Sequence, residues 1–251
     1  MKTITLALQK GGVGKTSLSV TLATELSKLG KTILLDADPQ GNATTWIYSD
    51  ALTSELADVL NEKTEVIKAV QNTPVENLFI IPTAGLGGDL RQYQKTKASS
   101  SPYAIQDIVD ALNPYFDYCI IDTSPNFDPL NEAVFLASDE ILTVLQFNEF
   151  SKDGLEIFTE NLRDARKRLR IPSNKAIQNK IILNAKDDRI KQQSIILEGM
   201  KQLENAGYKL FIIPVDQAFN KAQAIHVSIQ DLAGTKGETL TAIDEIIQEI
   251  K

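Results

Sequence analysis

The 251-residue sequence holds one cysteine, one histidine and one tryptophan, and aromatic residues make up only 6% of it. A lone Cys119 excludes an internal disulfide framework and any multi-cysteine metal site built from one chain; a reducing cytoplasm suits it. Long apolar runs are missing as well. The N-terminal MKTITLALQKGG interrupts its apolar stretch with threonines, ends it at Gln9 and lacks the small-residue cleavage site of a signal peptide. No other run approaches the roughly 18 apolar residues of a membrane span, so no transmembrane segment is expected. Pro/Gly/Ser-rich linkers and internal repeats are absent too, and the length fits one α/β domain over residues 1–251.

Basic charge is scarce on average. The formal net charge of -7 speaks against a nucleic-acid partner, because phosphate affinity comes mostly from Lys and Arg. The average hides a segregation: residues 161–191 carry ten Lys and Arg against three Asp. A locally basic surface on an acidic body fits this, and half of these charges also fit the solvated face of one helix.

What is present is alternation. Short, continuously apolar runs at 3–8, 32–35, 78–81, 118–121, 141–145, 181–183 and 210–213 have the form of strands buried on both faces. Helical patterns fill the intervals at 16–29, 53–60, 104–112, 130–137, 153–169, 192–206 and 238–250. The first has Leu18, Leu22, Leu26 and Leu29 as its apolar stripe, and Gly30 is expected to stop it. The polar stretch 85–102 is expected to hold a helix followed by a mobile loop. Such alternation predicts an α/β fold: one doubly wound, mostly parallel sheet flanked by helices on both faces. Ligands of such sheets sit at the carboxyl ends of the strands, where every motif below falls.

Residues 10–17 read Lys-Gly-Gly-Val-Gly-Lys-Thr-Ser, directly after one expected strand and directly before one expected helix. Glycines let the backbone turn tightly and bring its N–H groups to phosphate oxygens. The helix start adds free N–H groups and the positive end of its dipole. Gly11, Gly12, Val13, Gly14, Lys15, Thr16 and Ser17 are therefore the expected nucleotide loop, with Lys15 reaching the β- and γ-phosphates of ATP and the Thr16 hydroxyl on Mg²⁺. A ligand-free glycine turn is the plain alternative, and the coincidence of lysine, threonine and context argues against it. Lys10, at the start of the loop, is poorly located to reach its own nucleotide and free to face one held by a second subunit.

Two further segments carry acids at strand ends. Asp36-Ala37-Asp38-Pro39-Gln40-Gly41-Asn42 leaves the second strand with turn-forming residues behind it. Asp122 closes the strand at 118–121, ahead of Thr123-Ser124-Pro125. An acid after an apolar strand is the Walker B pattern, in which the carboxylate holds Mg²⁺ through a water. A water poised at a γ-phosphate also needs an acceptor that stays ionised at neutral pH.

With these residues in view, the KGGVGKT form resembles the deviant Walker A motif of the ParA/MinD family, whose members form a dimer sandwiching two ATP molecules. The resemblance to ParA-type partition ATPases covers nearly the whole chain. It implies that Lys10, Lys15 and Asp38 are catalytic, with Asp38 orienting the attacking water, and that Thr16, Asp38 and Asp122 serve Mg²⁺. Asp36 helps fix switch I on this reading. Residues 122–127 match switch II, but Ser124 stands where the family's D-x-P-P string has its first proline, which is expected to loosen the switch. Residues 80–84 look like the family's I-P-A segment and 146–150 its Q-x-E-aromatic stretch. Asn184 and Pro214 stand where family members contact the base.

The resemblance further implies a homodimer in the ATP state, non-specific DNA binding, a ParB-like activating protein and a cytoplasmic, nucleoid-associated location. The family's I-P-R-x-x-R stretch is lost here, since Val215 and Ala218 replace the arginines. DNA contacts are expected instead from Lys186, Arg189, Lys191, Lys201 and Lys221. No helix-turn-helix region precedes the phosphate loop, so operator recognition is not expected.

Other readings were weighed against residues. A MinD-like membrane ATPase needs a basic amphipathic C-terminal helix, and here the stripe Leu240, Ile243, Ile246, Ile247 and Ile250 is backed by an acidic face, which suits core packing and no membrane contact. An iron–sulfur reductase of the same superfamily needs two cysteines per subunit. A metabolite-directed P-loop kinase or ligase has no need of Lys10. His226, alone among apolar neighbours, is expected to be structural, and Trp46 to report nucleotide by fluorescence.

Overall fold

The computed structural model describes residues 1–8, 10–48, 50–147 and 151–251, with side chains from Asp153 onward in the last stretch. Gln9 and, within the expected Q-x-E-aromatic match, Asn148, Glu149 and Phe150 lie outside the described residues. Among the described residues the strands are β1 (Lys2–Ala7), β2 (Thr32–Ala37), β3 (Gln71–Asn72), β4 (Leu78–Ile81), β5 (Tyr118–Thr123), β6 (Glu140–Gln146), β7 (Ile177–Lys186) and β8 (Lys209–Pro214). They form one sheet in the order β3-β4-β2-β5-β1-β6-β7-β8. Every neighbouring pair is parallel except β3 and β4, where a two-residue antiparallel strand closes the edge.

The helices are α1 (Lys15–Ser27), α2 (Asn42–Ile47), α3 (Leu56–Leu60), α4 (Val66–Ala69), α5 (Leu90–Thr96), α6 (Ala104–Leu112), α7 (Pro129–Ala137), α8 (Ser151–Leu169), α9 (Lys191–Lys201), α10 (Ala218–Ala224) and α11 (Gly237–Ile250). The central strands read as unbroken apolar runs because helices cover both of their faces: Ile4, Leu6, Ile33, Leu34, Leu35, Ile120, Ile121 and Leu142 are fully buried. The expected C-terminal stripe packs as the sequence pattern requires. Ile243, Ile246, Ile247 and Ile250 are buried where α11 lies on β8 and α1. Among the described residues no helix is long and apolar enough to cross a membrane.

Several expectations are corrected. The first helix ends at Ser27, not at 29, and Leu29 is 55% exposed instead of completing the stripe. Gly30 does not act as a left-handed cap. A Cβ on it would lie 2.6 Å from Asp117 Oδ2, and that carboxylate accepts the Lys31 N–H at 2.8 Å, so the position is glycine for close approach. The helix expected from 53 starts only at Leu56, because Glu55 is its N-terminal cap in a capping box with Asp58. The helix expected over 192–206 ends at Lys201, with a separate 3₁₀ turn at Glu204–Ala206. After α5, the expected mobile loop is a 3₁₀ turn, Ala98–Ser100, seated by buried Ala98.

Candidate nucleotide site

β1 delivers the chain into the 10–17 loop, and α1 starts from it with Gly14 as N-terminal cap. Gly12 and Gly14 have φ of 72° and 97°, conformations that side chains rarely adopt, so the tight turn depends on glycine. The loop lines a cleft of about 410 Å³ together with Asp38, Gln40, Asn42, Thr123, Pro125 and Gln223. A larger groove of about 970 Å³ lies between α3, α4 and α6, but none of these motifs reaches it. The chemistry, not the volume, picks the site.

The residues expected around the phosphates converge. Lys15 is 6% exposed, and its Nζ donates to the Lys10 carbonyl at 3.1 Å. Burial lowers the pKa of its ammonium, while Asp122 and Asp38 oppose that shift. Thr16 Oγ1 donates to Asp122 Oδ2 and Ser19 Oγ to Asp122 Oδ1, both at 2.8 Å. Parallel pairing sets Asp36 directly beside Asp122. Burial and the neighbouring Asp122 push the Asp36 carboxyl up to about 8, although the Thr44 N–H and hydroxyl donate to it at 2.8 and 2.7 Å. Burial likewise raises Asp122, to about 6, against the Thr16 and Ser19 hydroxyls. Asp38, 7% exposed, is also raised by burial, while the Gln40 N–H, Lys15 and Arg91 pull it down.

Asp38 and Asp122 beside one lysine leave the site short of positive charge, with Asp36 buried behind them. A divalent cation fits that deficit, and the hydroxyl of Thr16 with the carboxylates of Asp38 and Asp122 forms an all-oxygen donor set of the kind magnesium takes. The glycine turn and helix start offer N–H groups to phosphate.

Switch I is held from outside the motif. Gly41, at φ 67°, has room for no side chain: a Cβ would lie 2.6 Å from the Thr83 carbonyl. Thr83 Oγ1 donates to the Asp36 carbonyl at 2.6 Å, and the Thr83 N–H donates to Thr44 Oγ1 at 2.9 Å. At switch II, Ser124 is tied into the structure by its neighbours. That residue is buried, and its hydroxyl and carbonyl both accept from Asn131 Nδ2, at 3.1 and 3.2 Å.

Asn184 lies two residues before the end of β7 and Pro214 ends the neighbouring β8, yet Asn184 Nδ2 donates to the Val13 carbonyl at 2.8 Å, on the phosphate loop itself. Pro214 lines a separate cleft of about 510 Å³ with Lys186, Arg189 and Lys221. Of the five residues expected to meet DNA, Lys186 pairs with Asp188, Arg189 with Asp187 and Lys201 with Glu198. Lys191 and Lys221 are exposed and carry no ion pair among the described residues. Four of the ten basic residues in that run lie on α8, where Arg163, Lys167 and Arg168 are exposed.

Sequence reasoning missed Ser19, Asn131 and Gln223. Ser19 was visible in principle, three residues after Thr16 on the same helix face. Gln223 comes from α10, which carried no readable periodic signal.

A parallel sheet with this loop, lysine and carboxylate set defines a P-loop nucleotide hydrolase. A family model described as an AAA domain matches residues 1–178. The uncharacterized protein BBD21 of Borreliella burgdorferi is 32% identical over 234 residues, 92% of each chain. The sporulation initiation inhibitor protein Soj of Bacillus subtilis is 34% identical over 172 residues, 67% of each chain. The chromosome partitioning protein ParA of Caulobacter vibrioides is 34% identical over 161 residues, 62% of this chain and 60% of that one. Among solved structures, an ATP complex of Cyanothece McdA superposes with a TM-score of 0.87 at 23% identity, covering 100% and 97% of the two chains. A Borrelia burgdorferi plasmid partition protein bound to AMPPNP gives 0.81 at 24%, covering 99% and 97%. The chain belongs to the ParA/MinD family of partition ATPases. It is an ATPase.

Proposed function

We propose that this ATPase partitions DNA or positions another cargo, acting through residues 1–251 as one domain. With ATP bound, two copies close face to face; the closed dimer binds DNA non-specifically, and a ParB-like partner stimulates hydrolysis. The single observation that carries this reading is Lys10. Its carbonyl holds Lys15 Nζ while the residue itself is exposed at the start of the phosphate loop. A lysine so placed serves a second protomer's nucleotide better than its own.

Within each copy the residues divide the work. The N–H groups of Gly11 to Ser17 and the ammonium of Lys15 hold the phosphates. Magnesium would neutralise phosphate charge when bound; the Thr16 hydroxyl and the Asp122 carboxylate are the groups that would hold it. Asp38 orients the attacking water. Lys191 and Lys221 lead the DNA contacts, and Lys186, Arg189 and Lys201 join when phosphate displaces their carboxylate partners. Burial of the α11 stripe leaves that face unavailable to lipid, and the location we propose is cytoplasmic and nucleoid-associated.

The test measures ATPase rate with and without DNA, together with oligomeric state, for wild type, Lys10→Ala and Asp38→Ala. Asp38→Ala is expected to dimerise with ATP and lose turnover; Lys10→Ala is expected to bind ATP and hydrolyse it poorly. A Lys10→Ala protein indistinguishable from wild type sinks the sandwich-dimer reading. DNA affinity that does not fall with salt sinks the phosphate-contact part.

A further inference from the structure

The carbonyls of the phosphate loop are gripped from behind. Gln146 ends β6 and is directly paired with Asn184, two residues before the end of β7. Gln146 Nε2 donates to the Gly12 carbonyl at 2.7 Å, and Asn184 Nδ2 donates to the Val13 carbonyl at 2.8 Å. Two consecutive peptide carbonyls are thus held by two residues paired across adjacent strands.

A trans peptide is a rigid plane in which the C=O of one residue and the N–H of the next point in opposite directions. Fixing the Gly12 carbonyl therefore fixes the Val13 N–H on the other side of that plane. Fixing the Val13 carbonyl does the same for the Gly14 N–H. Both residues line the phosphate cleft. We infer that Gln146 and Asn184 are positioning residues: they turn the loop's carbonyls outward so that its N–H groups stay aimed at the phosphates before nucleotide arrives. Preorganised donors bind anions without first reordering, which is where such bracing has its effect.

Gly14 fits this arrangement twice over. Its φ of 97° suits glycine, and a Cβ there would lie 2.3 Å from Asn184 Nδ2. The remaining acceptor of that side chain is engaged as well, since Asn184 Oδ1 accepts the Ala185 N–H at 2.9 Å. In this structure the amide of Asn184 serves the phosphate loop, in contrast to the base contact that the family resemblance implies for it.

The inference rests on the reading that this cleft takes a nucleoside triphosphate, and its test separates the two. Gln146→Glu and Asn184→Asp keep side-chain shape while replacing each donor with an acceptor facing a carbonyl. Calorimetry on the full chain measures Kd for Mg-ATP and for Mg-tripolyphosphate, which has no base. Each variant is expected to bind both ligands about tenfold more weakly, the loss of one donor plus a repulsive contact. KM for ATP should rise by the same factor, with kcat changed less than about twofold, because the phosphates are held alike in ground and transition states.

A loss confined to ATP, with tripolyphosphate binding intact, overturns the inference and makes Asn184 a base contact. Unchanged affinity for both ligands overturns it too. Wild-type protein that binds neither ligand sinks the nucleotide reading itself. Gln146 is half-buried at the rim of the cleft, so Gln146→Glu decides alone if Asn184→Asp does not fold.

Discussion

The Thr16 hydroxyl and the Asp122 carboxylate meet at 2.8 Å, joining the first turn of α1 to the end of β5. The contact ties the loop to the acid through the same two groups that would serve magnesium. Burial already holds Asp122 up at about 6, with Asp36 paired beside it across the sheet. Asp122→Asn removes one buried charge while leaving a group that Thr16 and Ser19 still bond. It is expected to raise nucleotide-free stability by about 1 kcal/mol and to lower magnesium-dependent ATPase by about 10–100-fold. Thermal melting and turnover in magnesium check the two halves. A variant that loses stability as well as activity shows that the carboxylate's hydrogen bonds outweigh its burial.

Switch I and the loop after β4 interlock through bare backbone. A Cβ on Gly41 meets the Thr83 carbonyl at 2.6 Å, and one on Gly85 meets the Gln40 carbonyl at 2.8 Å, with both glycines at positive φ. Either Gly→Ala change combines left-handed strain with a backbone clash, and should cost about 2–3 kcal/mol in urea unfolding. Because Asp38 accepts the Gln40 N–H in the same turn, Gly41→Ala should also depress turnover more than ATP affinity. Equal losses of both would show that the turn supports the whole cleft, without a separate effect on Asp38.

The site was legible where its chemistry is local. Lys10 to Ser17 sit within one turn, so spacing alone predicts their convergence, and the acids at 36, 38 and 122 were found because each follows an apolar strand. What spacing cannot carry is strand order: nothing in the sequence says that β5 lies between β1 and β2, which is what brings Asp36 against Asp122. The same holds for Gln146 and Asn184, whose partnership exists only through the β6–β7 register. Gly30 misled for a related reason, since its close neighbour, Asp117, is 87 residues away in the chain. The short elements α2, α4, α10 and β3 carry too few residues for a period to show.

Glu25 gives a pH dependence of determined sign. It lies on α1 against Ser228, and Lys28 Nζ donates to both of its oxygens at 2.9 Å. Burial raises its carboxyl above 4.5, and the Lys28 contacts do not cancel that shift. The folded protein therefore holds this proton more tightly than the unfolded chain. Its contribution is fully present below pH 4.5 and is lost as pH rises through the raised value. Glu25→Gln should flatten the stability profile in that window and be at least as stable as wild type at pH 7. A loss above about 1 kcal/mol at pH 7 would mean that the Lys28 pair outweighs desolvation.

The sole tryptophan joins switch I's helix to the turn after α10. Trp46 Nε1 donates to the Val227 carbonyl at 3.3 Å, and His226 Nδ1 lies 2.7 Å from the Trp46 carbonyl. Three residues before His226, Gln223 lines the phosphate cleft, as does Asn42 at the start of α2, so movement there is expected to reach Trp46 through α2 and through the turn after α10. Trp46 is 2% exposed, and a buried indole that gains water shifts its emission to longer wavelength. Saturating Mg-ATP should change the wild-type emission. His226→Ala should red-shift the nucleotide-free spectrum and shrink the ATP-induced change, because the turn no longer holds the indole's own peptide. If the wild-type spectrum stays fixed while calorimetry records ATP binding, neither path moves on binding, and the pair is a static brace between α2 and α10.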